Sequence, residues 1–536
     1  MNKNIIISLL TAMAAVPAFS QETYESAQIA TEDLNGTAKY VGMGGAMEAL
    51  GADISTIGTN PAGIGLFRKS WVGTSFGLST SPEQAGFANT GKTNADFGQI
   101  GFVVSSRVNR NSYINIGFNY HKGRNFNEIL AATGGLNGGS QNKLSYMKGK
   151  IGSYLYGGFD PAVSSGNEYI GFEDSNSDYT SRTFSQVDYL YWNAFIPDTQ
   201  GTFGYNEASG YDYQRETRGY IGNYDINISG NSNNRFYWGV TVGIKDVHYD
   251  CTTVYTENLI DAANNSVGGV TLSDSRIITG QGYDVKAGVI IRPVEDSPFR
   301  FGVSVATPTW YELTSDNVLN LYNNSSVGSY DTGRSSEEYT YKVFTPWKLG
   351  VSLGHTVDQT LALGLSYEFA DYSSLSNRYI TEMAHDGMAS KSEKDPEMNA
   401  NTEYSLAAVH TLKLGAELKI TPELAVRAGY NYVSPMYKTE GYRDGGLNSD
   451  GVYYSSTTDY TNWKTVHRTT FGLGYAKDHL SIDLAYQYQT RKGDFYPFQS
   501  LTVLDDNGAV DMENSVSPTA VKDQRHQLIL TLGYKF

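Results

Sequence analysis

The sequence predicts an all-β fold: a transmembrane antiparallel β-barrel of about fourteen strands with an N-terminal plug inside its lumen. Three observations carry that expectation. Apolar residues recur at every second position, the connections alternate between short and long, and the mean hydropathy of −0.38 over 536 residues is too low for a bundle of spanning helices. A closed barrel is the other structure that satisfies every backbone group in lipid.

Composition narrows the class further. The 40 basic and 56 acidic residues leave a net charge of −16, which argues against nucleic acid as a partner. With 57 glycines and aromatic residues at 13%, the chain lacks the signature of bulk disorder. Cys251 is the single cysteine, so no intrachain disulfide and no cysteine-rich metal site is expected. Lys3, an apolar run over Ile5–Val16 and Ala18-Phe-Ser20 form the three-part pattern of a signal peptide over residues 1–20. Its apolar run is too short to cross a bilayer.

The strand pattern is plainest near the C-terminus. Leu480, Ile482, Leu484, Tyr486 and Tyr488 alternate with Ser481, Asp483, Ala485, Gln487 and Gln489. The same period recurs over Leu361–Phe369, Leu412–Ile420, Leu424–Tyr432 and Phe236–Ile244. Strands are expected near 70–80, 96–108, 112–122, 218–230, 234–249, 276–292, 298–309, 339–355, 360–372, 406–420, 424–434, 464–476, 480–490 and 525–536. Tight turns at 109–111, 230–233, 293–297, 356–359, 421–423 and 477–478 alternate with long segments. Short periplasmic turns, long extracellular loops and an even strand count are the asymmetry of outer-membrane barrels.

Two details agree with that reading. Trp71 and Trp238 fall near expected periplasmic strand ends, and Trp310, Trp347 and Trp463 near extracellular ends, as a membrane girdle requires. The last strand ends on Tyr534 and Phe536, the pattern of a C-terminal signal read by barrel-assembly machinery.

Residues 21–69 break the alternation. A small-residue stretch (Gly42, Gly44, Gly45, Ala46, Ala49) leads to Asp53, Ser55 and Thr56, and then to Asn60-Pro61-Ala62-Gly63. This segment resembles the N-terminal hatch of FadL-type outer-membrane transporters of long-chain fatty acids and other hydrophobic compounds. Phe301–Pro308, Pro346–Leu353 and Leu424–Tyr432 resemble strands of the same family. The resemblance implies a plug over 21–69, a barrel over 70–536 and a gating role for Asp53, Ser55, Thr56, Asn60, Pro61, Ala62 and Gly63. On independent physical grounds, small residues allow close backbone packing, and Asn-Pro favours a turn.

The longest loop, about 123–217, is rich in aromatics. Tyr154, Tyr156, Tyr189, Tyr191 and Trp192 either pack a local core or form an aromatic groove that captures an apolar ligand. Other motifs fail their context. Gly73-Thr-Ser-Phe-Gly77 has the letters of a nucleophile elbow but lies within a strand, so no catalytic residue is assigned. The histidines are scattered; His121 and His248, near extracellular strand ends, leave a haem contact as a weaker alternative.

The expected function is passive outer-membrane uptake of hydrophobic small molecules, fatty acid-like or aromatic. The FadL resemblance implies the mechanism: extracellular loops take up the ligand, a hydrophobic lumenal pocket holds it, and plug rearrangement around Asn60–Gly63 releases it, with lateral exit through a gap in the wall. A structural or adhesive surface barrel and a general porin are the alternatives. No enzyme activity, metal or cofactor is expected. The partners would be a hydrophobic ligand and outer-membrane lipid or lipopolysaccharide, with the protein a monomer.

Overall fold

A computed structural model describes residues 22–82, 87, 92–156, 160–161, 172–173, 185–195, 204–328, 332–358, 360–384, 390–447, 449–504 and 507–536. The signal peptide lies outside the described residues. Among those residues fourteen wall strands close into an antiparallel barrel, as the alternation predicts. They are β1 (Trp71–Thr80), β2 (Thr93–Asn109), β3 (Ser112–Asn125, continued by Glu128–Gly135), β4 (Glu207–Ser232), β5 (Phe236–Ile260) and β6 (Ser266–Ile291). Then follow β7 (Arg300–Ala306 and Trp310–Ser325), β8 (Thr332–Phe344 and Lys348–Val357) and β9 (Leu361–Asp371 and Ser376–Glu382). The ring is completed by β10 (Ala408–Lys419), β11 (Leu424–Val433), β12 (Tyr460–Lys477), β13 (Leu480–Tyr496) and β14 (Thr519–Lys535). Pairing of β14 with β1, from Lys535 opposite Trp71 to His526 opposite Thr80, shuts the wall.

The wall is inside-out relative to a soluble sandwich. On β13 Leu480, Ile482, Leu484 and Tyr486 are exposed, while Asp483, Ala485 and Gln487 are buried. Apolar side chains therefore face lipid, and polar ones fill the lumen. The periplasmic turns are tight: Asn233 and Asn234 between β4 and β5 take φ of 53° and 56°, the left-handed pair of a type I′ hairpin.

Prolines interrupt two neighbouring strands at one level. Pro308 divides β7 and Pro346 divides β8, since neither can donate to the ladder. Thr309 and Thr345 restore the pairing: the Thr345 N–H donates to the Thr309 carbonyl at 3.1 Å, and the Thr309 N–H to the Thr345 hydroxyl at 2.8 Å.

Strands β4, β5 and β6 run 26, 25 and 26 residues, well past the ~9–11 that a bilayer requires. Their outer halves carry a cap built with helices α3 (Gln141–Tyr156) and α4 (Gln186–Ala194). Leu144, Val187, Leu190, Trp192, Leu319 and Phe495 form its core. A capping box of Ser185 and Asp188 starts α4.

Much of the glycine content has a use at the level of the plug. A Cβ on Gly364 would strike the Ala46 carbonyl, on Gly415 that of Met43, and on Gly239 that of Pro61. Gly429 abuts Gly44, and Gly288 abuts the Asn60 side chain. The glycine belt of β5, β6, β9, β10 and β11 thus lets plug backbone lie directly on wall backbone. Gly364→Leu is expected to leave a folded, heat-modifiable barrel while lifting the plug off β9. Limited proteolysis then cuts within 40–50; wild-type protection in the variant would contradict the close packing.

Candidate functional site

The plug enters the lumen high and descends. Helix α1 (Thr23–Ala30) lies in the extracellular half beside α5 (Pro396–Ser405), where the Thr23 and Thr402 hydroxyls are 2.8 Å apart. The chain reaches the periplasmic half at Thr37, forms the short helix α2 (Ala38–Gly42), and crosses beneath β9–β11 to two 3₁₀ turns. It leaves through Phe67 and Ser70 into β1.

Charge fixes this path. Glu25 binds Arg276 at 2.8 Å, and Glu32 binds Lys245 at 2.5 Å and Lys348 at 3.0 Å. Asp33 meets Arg124 at 2.9 Å, Arg525 at 3.2 Å and Arg468 at 3.8 Å, and Glu48 binds Lys413 at 2.8 Å. Each of these acids belongs to the plug and each base to the wall. Burial acts to raise the Asp33 carboxyl, but Arg124, Arg525 and Arg468 outweigh it and hold the group well below the usual carboxylate range.

The two turns are ordered by the residues singled out from the sequence. Asp53 caps the turn Ile54–Gly58, accepting the Ser55 N–H at 2.9 Å and the Thr37 hydroxyl at 2.7 Å. The Thr56 hydroxyl donates to the Asp53 carbonyl at 2.7 Å. Asn60 caps the turn Pro61–Leu66 by accepting the Ala62 N–H at 3.2 Å. A Cβ at Gly63 would strike Thr56, so glycine lets the turns touch, and Ala62 is fully buried beside the wall.

Above the plug lies a cavity of about 250 Å³. Its lining mixes rings (Tyr24, Tyr437, Tyr460, Trp463) and aliphatic groups (Val409, Val433) with ion-paired side chains such as Arg124, Arg468 and Arg491. This is an amphipathic chamber and differs from the purely hydrophobic pocket implied by the resemblance. The lumenal charges had a readable signal, since Lys413, Arg427 and Arg468 occupy polar positions of alternating strands, but their plug partners do not follow from any spacing.

The girdle differs from expectation. Trp238, Trp310 and Trp347 are exposed on the outer wall. Trp71 instead turns into the lumen against Phe67, with ring centroids 6.4 Å apart, and Trp463 lies 3.9 Å from the Arg491 guanidinium. Tyrosine–histidine pairs occupy the outer face of β9–β14: Tyr367 with His410 at 2.7 Å, Tyr430 with His467 at 2.6 Å and Tyr486 with His526 at 2.7 Å. Tyr534 and Phe536 are exposed at the end of β14.

Tyr191 and Trp192 are buried in the cap core, with Tyr189 packed against it, so these rings build the cap and present no capture groove. The side chains of Tyr154 and Tyr156 lie outside the described residues. His121 faces the lumen 3.6 Å from Asp225, whereas His248 is exposed beside Asp246 at 2.8 Å. The two imidazoles sit on opposite faces of the wall and cannot share a haem.

Removing Asp33 strands three guanidiniums. Asp33→Ala is expected to lower stability by about 3 kcal/mol, read as a lower thermal midpoint in detergent. An unchanged midpoint would show that the plug is held without this cluster.

No family model and no curated protein matches the chain. Among solved structures it is similar to the Ralstonia pickettii toluene transporter TbuX, at 12% identity over 94% of this chain and 99% of that one, with a TM-score of 0.48. It is also similar to a Pseudomonas aeruginosa FadL homologue, at 13% identity over 94% and 99% and a TM-score of 0.46. The third is the P. putida toluene transporter TodX, at 11% identity over 94% and 99% and a TM-score of 0.46.

Proposed function

We propose that the protein is an outer-membrane channel for passive uptake of hydrophobic small molecules, fatty acid-like or aromatic. The observation that carries this reading is the chamber of about 250 Å³ between plug and wall, where rings lie beside cationic groups. A ligand with an apolar body and a polar end satisfies both parts of that lining. The rings of Tyr437, Tyr460 and Trp463 take the body, and the Arg468–Arg491 side takes the polar end. The plug fills the lumen below, which argues against an open general porin. Release follows from movement of the plug, which ion pairs, close backbone packing and small apolar clusters such as Ala62 and Leu66 with Tyr237 and Ile290 hold against the wall with no covalent tie.

The chamber supplies a capture site of its own, and of the long-loop aromatics Tyr191 and Trp192 are committed to the cap core. No energy-coupling element is needed: partition into the chamber and then out of it is downhill when the compound is consumed inside.

Deleting residues 21–63 tests the reading. The wall satisfies its own backbone, so the variant is expected to fold and show a heat-modifiable band. Uptake of a fluorescent long-chain carboxylate into proteoliposomes should then differ severalfold from wild type. Uptake identical to wild type would remove the plug from the mechanism. Trp463→Ala should weaken binding of the same probe by about tenfold, the loss of roughly 1.4 kcal/mol of ring contact; unchanged binding would place the ligand elsewhere.

A further inference from the structure

The outer wall carries two like charges face to face. Lys492 of β13 and Lys522 of β14 are directly opposite in the antiparallel ladder, and both are exposed. They share the parity of Leu484, Tyr486, Leu528 and Leu530, so both side chains leave the barrel on its membrane side. Like charges directly opposite each other destabilise a sheet, and an acid at either position would have relieved the pair. The acid on this arc is engaged elsewhere: Asp494 faces Ala520 and binds Lys464 of β12 at 2.9 Å.

The strand sets the height of the pair on the wall. Tyr534 and Phe536 mark the periplasmic end of β14, and Leu532, Leu530 and Leu528 face lipid above them. His526 follows, with its Nδ1 2.7 Å from the Tyr486 hydroxyl and its ring 4.9 Å from that of Tyr488. The eight-residue rise from Tyr534 to His526 is roughly 21 Å along the membrane normal, close to the ~25 Å apolar band of such barrels. This ring cluster is therefore the extracellular boundary. Thr490 and Gln524 form the next rung, where Gln524 Nε2 donates to the Tyr488 hydroxyl. Lys492 and Lys522 form the rung after that, about 10 Å beyond His526. The headgroup layer is ~5–8 Å deep, and the four-carbon stem of a lysine lets its ammonium reach down into it. The opposite arc differs in sign, since Asp316 of β7 faces Glu338 of β8 and both are exposed.

At this depth the lysine pair is covered by the membrane, so its partner is a lipid, and the charge of that lipid must be negative. We propose that the outer face of β13 and β14 binds a phosphorylated glycolipid of the extracellular leaflet, of the lipopolysaccharide class. A phosphate between Lys492 and Lys522 turns their repulsion into a shared contact. The Tyr486–His526–Tyr488 cluster meets the junction of headgroup and chains, and the acyl chains lie on Leu484, Leu528 and Leu530. The surface is on the opposite side of the wall from the chamber, and the inference stands independently of the uptake function.

Native mass spectrometry of the full-length protein in mild detergent tests it, with lipid A and the same lipid stripped of its phosphates as probes. The wild type is expected to retain lipid A about tenfold better than the stripped lipid. Lys492→Gln with Lys522→Gln, its fold verified by a heat-modifiable band, should lower lipid A retention to the level of the stripped lipid. Lys419→Gln with Lys477→Gln removes the same charge at the periplasmic rim and should leave retention unchanged. Equal retention of the two lipids by the wild type, wild-type retention by the Lys492/Lys522 variant, or equal losses in the two double variants overturns the site. Thermal unfolding gives a second readout. Lipid A should raise the midpoint of the wild type and leave that of the Lys492/Lys522 variant where it is. A rise of equal size in both, or the same rise with inorganic phosphate alone, overturns the lipid assignment.

Discussion

The structure depends on the contact of an acidic plug with a basic lumen. A barrel wall is self-sufficient, because each strand satisfies its neighbour, so nothing in the wall alone requires a plug. Glu25, Glu32, Asp33 and Glu48 convert an empty lumen into a filled one by pairing with Arg276, Lys245, Lys348, the Arg124–Arg468–Arg525 group and Lys413. The lumenal cations in turn depend on the plug, although the wall's backbone pairing does not. Buried guanidiniums without those carboxylates would be stranded charges, so the wall cations make sense only with the plug in place.

In the proposed uptake the plug stays put at rest and moves on release, and ion pairs and glycine contacts suit both. The charged groups of the lumen can be hydrated as they part, whereas the apolar clusters that the plug shares with the wall, such as Ile54, Ile57, Ile64 and Phe67 with Trp71 and Val103, hold it at rest. The glycine belt contributes close fit without interlocking side chains that would have to be withdrawn.

The barrel was legible in the sequence because period two is a strong local signal and the tight turns carry their own chemistry. Strand ends were less so. β4–β6 extend far beyond the expected 218–230, 234–249 and 276–292, since outside the membrane both faces carry polar residues and the alternation fades. Asp53 and Asn60 stood out because their segment resembles the FadL-type hatch, with Asn-Pro also a turn signal in its own right; their capping roles were not read from the sequence. The pairing of Asp33 with Arg124, Arg468 and Arg525 spans most of the chain, and no local pattern encodes it. Trp71 and Trp463 show the limit of arguing from strand ends: position along a strand places a ring at a boundary, but only the parity of its position decides whether it meets lipid or lumen.

The central claim is that the chamber above the plug holds an amphipathic ligand. Native mass spectrometry of the protein, extracted in mild detergent and offered a mixture of long-chain carboxylates, tests it most directly. The account predicts one retained carboxylate per barrel in the wild type and none in a variant with Tyr460→Ala and Trp463→Ala. A wild-type protein that retains no ligand, or a variant that retains it equally, would contradict the account.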